Sequence, residues 1–133
     1  MGVKRVYYDW DDINKLLDII WSKSDNKFKS VTGIPRGGTV LAVLYSHRFN
    51  VKYSPSANLD SEQLIIDDIA DSGDTLKLWK KTFPTNSFAT IHYKETSEVK
   101  PDIFSKKIPE DYGWVVYPWE KEDSKTIQDY LEI

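Results

Sequence analysis

Two adjacent carboxylates, Asp67 and Asp68, follow a short apolar run at residues 64–66 and precede a small polar loop at residues 71–75. An apolar run of this length is typical of a strand that is buried on both faces. Two neighbouring carboxylates do not bind a phosphate directly, because like charges repel. They can instead accept hydrogen bonds from sugar hydroxyls or hold a hard cation such as Mg²⁺.

The polar loop has the composition of a phosphate site. It consists of Asp71, Ser72, Gly73, Asp74 and Thr75, and a helical pattern begins directly after it. Backbone N–H groups at the start of a helix and the hydroxyls of Ser72 and Thr75 can bind a phosphate, and Gly73 allows the backbone to come close. A sugar phosphate would satisfy both the loop and the acidic pair. The loose pattern alone is also compatible with a solvated acidic turn after a core strand.

A second glycine loop reads Gly-Ile-Pro-Arg-Gly-Gly at residues 33–38. The guanidinium of Arg36 and the backbone N–H groups of Gly37 and Gly38 can stabilise an anion. By itself the motif is also compatible with a helix-entry turn that carries an exposed arginine.

The elements around both loops alternate between strand and helix. Asp9 is a candidate N-cap for a helix that ends near residues 24–26, a helical period resumes at Leu41, and a third helix runs from Leu76 to a stop before Pro84. The predicted strands are residues 28–34, 51–53, 64–66, 88–93 and 114–117, with a polar stretch at 94–112. This order predicts one α/β domain over residues 1–133, with a mainly parallel sheet flanked by helices and ligands beyond the carboxyl ends of the strands.

Composition narrows the class of protein. The chain has 133 residues, which fits one domain, and its net charge of −3 provides no broad attraction for nucleic acid. Because it has no cysteine, a disulfide framework, a thiolate zinc site and a cysteine nucleophile are excluded. No apolar run is long enough for a signal peptide or a membrane span, so we expect a cytoplasmic protein. His47 and His92 are predicted to be surface or packing residues.

Residues 64–76 resemble the phosphoribosyl pyrophosphate signature of the type I phosphoribosyltransferases. The resemblance implies that Asp67 and Asp68 contact the ribose hydroxyls and Mg²⁺, and that residues 71–75 bind the 5-phosphate. It also implies that Asp71 is the general base that takes a proton from the attacking purine nitrogen.

The loop at residues 33–38 is similar to the pyrophosphate loop of the same family. This similarity implies that Arg36, Gly37 and Gly38 hold the departing diphosphate. Negative charge builds on that group while the anomeric carbon becomes oxocarbenium-like, so fixed positive charge would stabilise the transition state.

Residues 90–94 and 114–120 resemble the purine site of the bacterial xanthine-guanine members. On that model Lys94 donates to the 6-oxygen of the purine, Trp114 stacks on its face, and main-chain groups around Val115 contact its edge. A lysine donor favours oxopurines over adenine, whose 6-amino group is itself a donor. Without the family, Lys94 is equally well a surface lysine and Trp114 a core aromatic residue. Trp119 and Glu120 are equally compatible with a structural role.

Family members carry a flexible hood loop over their substrates, but here the interval at residues 52–63 is short. A loop of this size would cover the site only partly. We therefore keep two hypotheses. The first is a Mg²⁺-dependent enzyme that transfers phosphoribose from phosphoribosyl pyrophosphate to guanine, xanthine or hypoxanthine. The second is a relative that senses phosphoribosyl pyrophosphate or a nucleotide without turning it over.

The expected partners are these small molecules, with neither nucleic acid nor membrane among them. The resemblance also implies a homo-oligomer, either a dimer or a tetramer. A different nucleotide-binding α/β protein, such as a flavodoxin-like receiver, fits poorly because that architecture does not predict both glycine loops and the tryptophan-containing strand.

Overall fold

The computed structural model describes residues 4–120, and its elements alternate as the sequence predicts. In chain order they are β1 (Arg5–Tyr7), α1 (Trp10–Ser24), β2 (Ser30–Gly33), α2 (Gly37–Phe49), β3 (Lys52–Tyr53), β4 (Gln63–Ala70), α3 (Asp74–Thr82), β5 (Ser87–Lys94), β6 (Ile103–Ile108) and β7 (Trp114–Val116).

Helix α1 begins with the predicted cap. The Asp9 carboxylate accepts a hydrogen bond from the backbone N–H of Asp12, and the Asp12 carboxylate accepts one from the N–H of Asp9. This reciprocal pair satisfies backbone donors that the first helical turn leaves without an intrahelical acceptor. The buried face of α1 repeats at helical spacing and comprises Ile13, Leu16, Leu17, Ile20 and Ser24.

Five strands form one parallel sheet in the order β3-β2-β4-β5-β6. The central strand β4 is apolar at Leu64, Ile65 and Ile66 because all three side chains are completely buried. Buried side chains of α1 and α2 pack in one apolar cluster with the sheet, and Leu76 of α3 packs in a second. The predicted helix-flanked parallel sheet is confirmed, and it places the ends of β2, β4 and β5 side by side.

The structure differs from the predicted elements at four points. The stretch at 94–112 contains strand β6, and β1 was also missed. Strand β7 does not join the main sheet but pairs in parallel with β1 in a two-stranded sheet. Helix α2 begins at Gly37 rather than near Leu41, so Gly37 and Gly38 of the loop at residues 33–38 lie in its first turn.

Two buried side-chain amides hold the loop at residues 54–62. The side chain of Gln63 accepts a hydrogen bond from the Asn58 N–H (2.8 Å) and donates one to the Ser56 carbonyl (3.2 Å). Asn86 donates to the carbonyl of Asn58 (2.9 Å). These contacts hold the backbone of the loop at Ser56 and Asn58, and the side chain of Leu59 projects into solvent. Within residues 4–120, no helix combines the length and the apolar character that a membrane crossing requires.

Candidate active site

A cleft of about 730 Å³ lies at the carboxyl ends of β2, β4 and β5 and against the two-stranded sheet. Most of the side chains predicted to act line it. These are Arg36, Gly37, Asp67, Asp68, Asp71, Ser72, Gly73, Thr75, Lys94, Trp114 and Val115. Gly38 and Asp74, which were also predicted to bind phosphoribosyl pyrophosphate, are not among the lining residues. Two separate sequence motifs and the tryptophan strand therefore meet in one cavity.

The acidic pair lies near the carboxyl end of β4, with Asp67 buried and Asp68 partly buried. Asp67 is only 8% exposed, and its Oδ1 accepts a hydrogen bond from the Asp68 N–H (2.9 Å). Asp68 Oδ1 accepts one from the N–H of Ile69 (2.7 Å). Burial raises the pKa of Asp67 well above its ordinary range, and the charge of Asp68 raises it further. Burial, with a smaller contribution from Glu120, raises the pKa of Asp68 to about 6. The fold thus holds two carboxyl groups where their charge is disfavoured.

Helix α2 approaches the acidic pair so closely that two glycines are required. A Cβ atom on Gly37 would overlap the carboxylate of Asp68, and one on Gly38 would overlap the carbonyl oxygen of Ile66. Gly38 therefore contributes space rather than a surface of the cleft. The peptide bond between Pro35 and Arg36 is cis, and Arg36 lines the cleft directly before the helix.

The polar loop after β4 opens helix α3 at Gly73. Gly73 has a positive φ of 92°, and a Cβ atom there would lie 2.7 Å from the backbone nitrogen of Val99. The Ser72 carbonyl accepts a hydrogen bond from the Glu98 N–H (2.8 Å), which fixes the loop against the chain after β5. Ser72 and Thr75 line the cleft at the N-terminus of α3. Hydroxyls and helix N–H groups that converge in this way are the donors a phosphate needs.

Lys94 and Asp71 form an ion pair across the cleft, with 3.1 Å between Lys94 Nζ and Asp71 Oδ1. The Lys94 side chain is 25% exposed and that of Asp71 56%, so the pair faces the open cavity. Sequence reasoning gave these residues separate roles, a purine donor and a general base, but did not predict their contact. Strand β5 ends at Lys94, directly beside the end of β4, and this explains their proximity.

The opposite wall is the two-stranded sheet. Trp114 is 42% exposed and lines the cleft with Val115, which pairs with Val6 of β1. Ile108, at the end of β6, also lines it. The flat, half-exposed indole and these aliphatic side chains form an apolar surface suited to a planar ring. Ile108 was not predicted as a site residue, because β6 itself was missed.

A tight turn after β7 adds further lining residues, Tyr117, Trp119 and Glu120. The Glu120 N–H donates to the Tyr117 carbonyl (3.0 Å), and the Tyr117 N–H donates to Glu120 Oε1 (3.0 Å). The rings of Tyr117 and Trp119 stack with centroids 4.8 Å apart. The turn brings Glu120 close enough to raise the pKa of Asp68. Pro118 between the two aromatic residues was the local sequence signal for this turn.

The donor set suits a hard divalent cation that shares its ligands with a substrate. Asp67 and Asp68 offer carboxylate oxygens, the ligand type that Mg²⁺ prefers. A cation would also offset the repulsion between the two adjacent carboxylates. Within the described part of the chain, no cluster of three or more His, Cys, Asp or Glu side chains could enclose a metal. Substrate and water could supply the remaining ligands.

No family model matches the chain. Among curated relatives, a xanthine-guanine phosphoribosyltransferase from Cereibacter sphaeroides is 25% identical over 147 residues, covering 88% of this chain and 87% of the relative. The enzyme of the same name from Nitratidesulfovibrio vulgaris is 27% identical over 116 residues, 71% of each chain.

The crystal structure of a purine phosphoribosyltransferase from Pyrococcus horikoshii superposes with a TM-score of 0.74 at 20% identity, covering 92% of this chain and 98% of the other. The fold is that of the type I phosphoribosyltransferases. A Helicobacter pylori xanthine-guanine-hypoxanthine phosphoribosyltransferase also shares this phosphoribosyltransferase fold, with a TM-score of 0.69 at 19% identity, over 89% and 93% of the two chains. The resemblance inferred from the two loops is confirmed.

Proposed function

We propose that this chain is a purine phosphoribosyltransferase that joins phosphoribose from phosphoribosyl pyrophosphate to a 6-oxopurine. The observation that carries the proposal is the convergence of a phosphate loop, an acidic pair and the Lys94–Asp71 pair in one cleft. Curated relatives that bear the name xanthine-guanine phosphoribosyltransferase support the reaction class.

One end of the cleft is suited to the sugar phosphate. The 5-phosphate would bind at Ser72, Thr75 and the N–H groups that open α3, while Asp67 and Asp68 would face the ribose hydroxyls. A Mg²⁺ ion held by Asp67 and Asp68 would supply charge neutralisation for the diphosphate. Arg36 would bind that leaving group as the bond from the anomeric carbon to oxygen breaks and negative charge collects on it.

The Lys94–Asp71 ion pair gives a physical account of how base binding could prepare the reaction. In the structure Lys94 donates to Asp71 at 3.1 Å. A 6-oxopurine offers a carbonyl acceptor to the ammonium group and a ring N–H to the carboxylate. Binding would therefore exchange one ion pair for two hydrogen bonds to the base, and Asp71 would take the ring proton as N9 attacks the anomeric carbon. Adenine presents a 6-amino donor to Lys94, so the exchange would fail.

The direct test is a base panel. Purified protein is incubated with Mg²⁺, phosphoribosyl pyrophosphate and guanine, xanthine, hypoxanthine or adenine, and nucleotide formation is followed chromatographically. We expect turnover with at least one 6-oxopurine and a much lower kcat/KM with adenine. Failure of every base to yield a nucleotide would contradict the proposal.

The short tethered loop at 54–62 favours a second candidate, a binding protein that recognises phosphoribosyl pyrophosphate without consuming it. Such a protein would need the phosphate loop but neither a base at Asp71 nor a purine donor at Lys94, so the ion pair favours the enzyme. Calorimetry separates the two. Tight Mg²⁺–phosphoribosyl pyrophosphate binding together with absent turnover for all four bases would support the binding protein.

A further inference from the structure

The hydroxyl of Tyr117 lies beneath the acidic pair at the junction of the two sheets. The side chain is almost completely buried, and its Oη lies 2.8 Å from His92 Nδ1 and 3.4 Å from the carbonyl oxygen of Asp68. His92 is itself fully buried on β5, with the ring of Tyr8 against it edge-on at 4.7 Å. A polar contact therefore connects the turn after β7 to the backbone of β4.

The direction of these hydrogen bonds follows from the groups available. Burial lowers the pKa of His92 to about 4, so the ring is neutral at physiological pH and carries one proton. Its Nε2 is buried and has no hydrogen-bond partner. If the proton were on Nε2, a buried N–H would have no acceptor. With the proton on Nδ1, the ring donates to Tyr117 and only an acceptor nitrogen stays without a partner, which costs less. In this tautomer His92 Nδ1–H donates to Tyr117 Oη, which donates to the Asp68 carbonyl.

We propose that Tyr117 is a positioning residue that orients the Asp68 end of β4 for the phosphoribosyl pyrophosphate–Mg²⁺ complex, through its hydroxyl and with His92 behind it. The inference rests on the proposed function and assigns a role to a residue that lies outside both glycine loops. Three contacts fix Tyr117: the stack on Trp119, the backbone bond to Glu120 and the bond from His92. A phenol held in this way can restrain the peptide that carries the Asp68 carboxylate.

The test removes the hydroxyl alone. Tyr117→Phe keeps the ring, its stack on Trp119 and the strand that holds Trp114. The matched control is Tyr45→Phe, because Tyr45 is also fully buried and its hydroxyl contacts Ser24 Oγ (3.3 Å) in the core between α1 and α2. Both variants are first checked by thermal unfolding, and the affinity for Mg²⁺–phosphoribosyl pyrophosphate is then measured by calorimetry, followed by KM for each substrate.

For Tyr117→Phe we expect the dissociation constant and KM of Mg²⁺–phosphoribosyl pyrophosphate to rise about 3- to 10-fold, the range for one lost hydrogen bond. KM for the base should stay within about twofold. Tyr45→Phe should change neither constant. If Tyr117 had only a structural role, loss of its hydroxyl would loosen β7 and raise KM for the base as well, because Trp114 and Val115 lie on that strand. Equal rises in both KM values would therefore overturn the proposal.

His92→Gln tests the second member of the network. If His92 acts through Tyr117, the double variant that combines His92→Gln with Tyr117→Phe should bind Mg²⁺–phosphoribosyl pyrophosphate no more weakly than Tyr117→Phe alone. Additive losses of affinity in the double variant would overturn this part of the proposal. If the wild type binds or turns over phosphoribosyl pyrophosphate and Tyr117→Phe has the same dissociation constant and KM, the role of Tyr117 is rejected and the proposed function stands. A wild type that neither binds nor turns over this substrate rejects both.

Discussion

The two sides of the cleft are built in different ways. The floor, formed by the acidic pair near the end of β4 and the glycines that open α2, lies where that helix meets the five-stranded sheet, and a Cβ atom added to either glycine would overlap Asp68 or the carbonyl of Ile66. The base wall, formed by Trp114 and Val115, belongs to a two-stranded sheet and is partly exposed. The floor places charge where burial disfavours it, whereas the wall offers a flat apolar surface.

This difference separates two tasks. A charged group in an environment that disfavours its charge must be held by well-packed neighbours. The close approach of α2 to β4 supplies that packing around the acidic pair. A planar ring, by contrast, can be bound by one half-exposed indole with few restraints. We therefore expect changes in the floor to alter catalysis or the pH dependence of stability, and changes in the wall to alter base affinity alone.

The largest effect is expected for Asp71, which contacts Lys94 and so joins the sugar-phosphate side of the cleft to the base side. Asp71→Asn should lower kcat about 10²-fold or more, because an amide cannot accept the purine proton. Asp74→Asn is the matched control: it changes the same loop at a residue that does not line the cleft, and kcat should stay within about twofold. A near-wild-type rate for Asp71→Asn would remove Asp71 from the role of base.

A smaller effect, confined to the wall, is expected for Trp114→Ala. Loss of a stacking surface should raise KM for the purine about 10-fold and leave KM for phosphoribosyl pyrophosphate unchanged, since aromatic–base stacking contributes roughly 1–3 kcal/mol. Tyr7→Ala, an exposed aromatic residue on the neighbouring strand β1, should leave both constants unchanged. Steady-state kinetics with both substrates varied measure the result. Equal changes in both KM values for Trp114→Ala would break the separation between wall and floor.

The smallest effect is a gain in stability for Asp68→Asn in metal-free buffer. Folding raises the pKa of Asp68 from 3.8 to about 6, so the wild-type fold binds this proton more tightly than the unfolded chain does and loses stability as the pH rises through 6. The shift corresponds to at most about 3 kcal/mol, and partial solvent contact reduces the expected gain to about 1–2 kcal/mol at pH 7.5. The gain should shrink as the pH falls from 6 towards 4.

Denaturant unfolding at pH 7.5 and pH 4.5 measures this gain. The control is Asp18→Asn, whose carboxylate is paired with Arg48 and has a lowered pKa; its loss should leave stability unchanged or slightly reduced. If Asp68→Asn destabilised the protein at pH 7.5 as much as at pH 4.5, the floor would not hold disfavoured charge.

Local patterns predicted the elements that are apolar or clearly capped. Helix α1 has its cap at Asp9, and β4 is an uninterrupted apolar run. Strand β6 was missed because it is an edge strand whose middle carries Lys106 and Lys107, so its composition resembles a loop. The pairing of β7 with β1 joins residues more than a hundred positions apart, and periodicity within either segment contains no information on it.

The site was predicted as far as contiguous motifs extend. Arg36 and most of the polar loop do line the cleft, because each motif is one turn at the end of a strand. The contact between Lys94 and Asp71 was not predicted, since it depends on the register of β5 beside β4. Tyr117 was not singled out, because its role depends on a contact with His92, which was expected to be a surface or packing residue and is fully buried.

The loop at residues 54–62 has a consequence for the time course of turnover. The buried side chains of Gln63 and Asn86 hold its backbone at Ser56 and Asn58, and none of its residues lines the cleft, so in this structure it does not cover the site. In many enzymes lid opening and product release limit the rate of turnover. An enzyme whose cleft has no such lid should instead be limited by bond breaking at the anomeric carbon, and rapid-quench traces should rise linearly from the first turnover, without a burst of nucleotide.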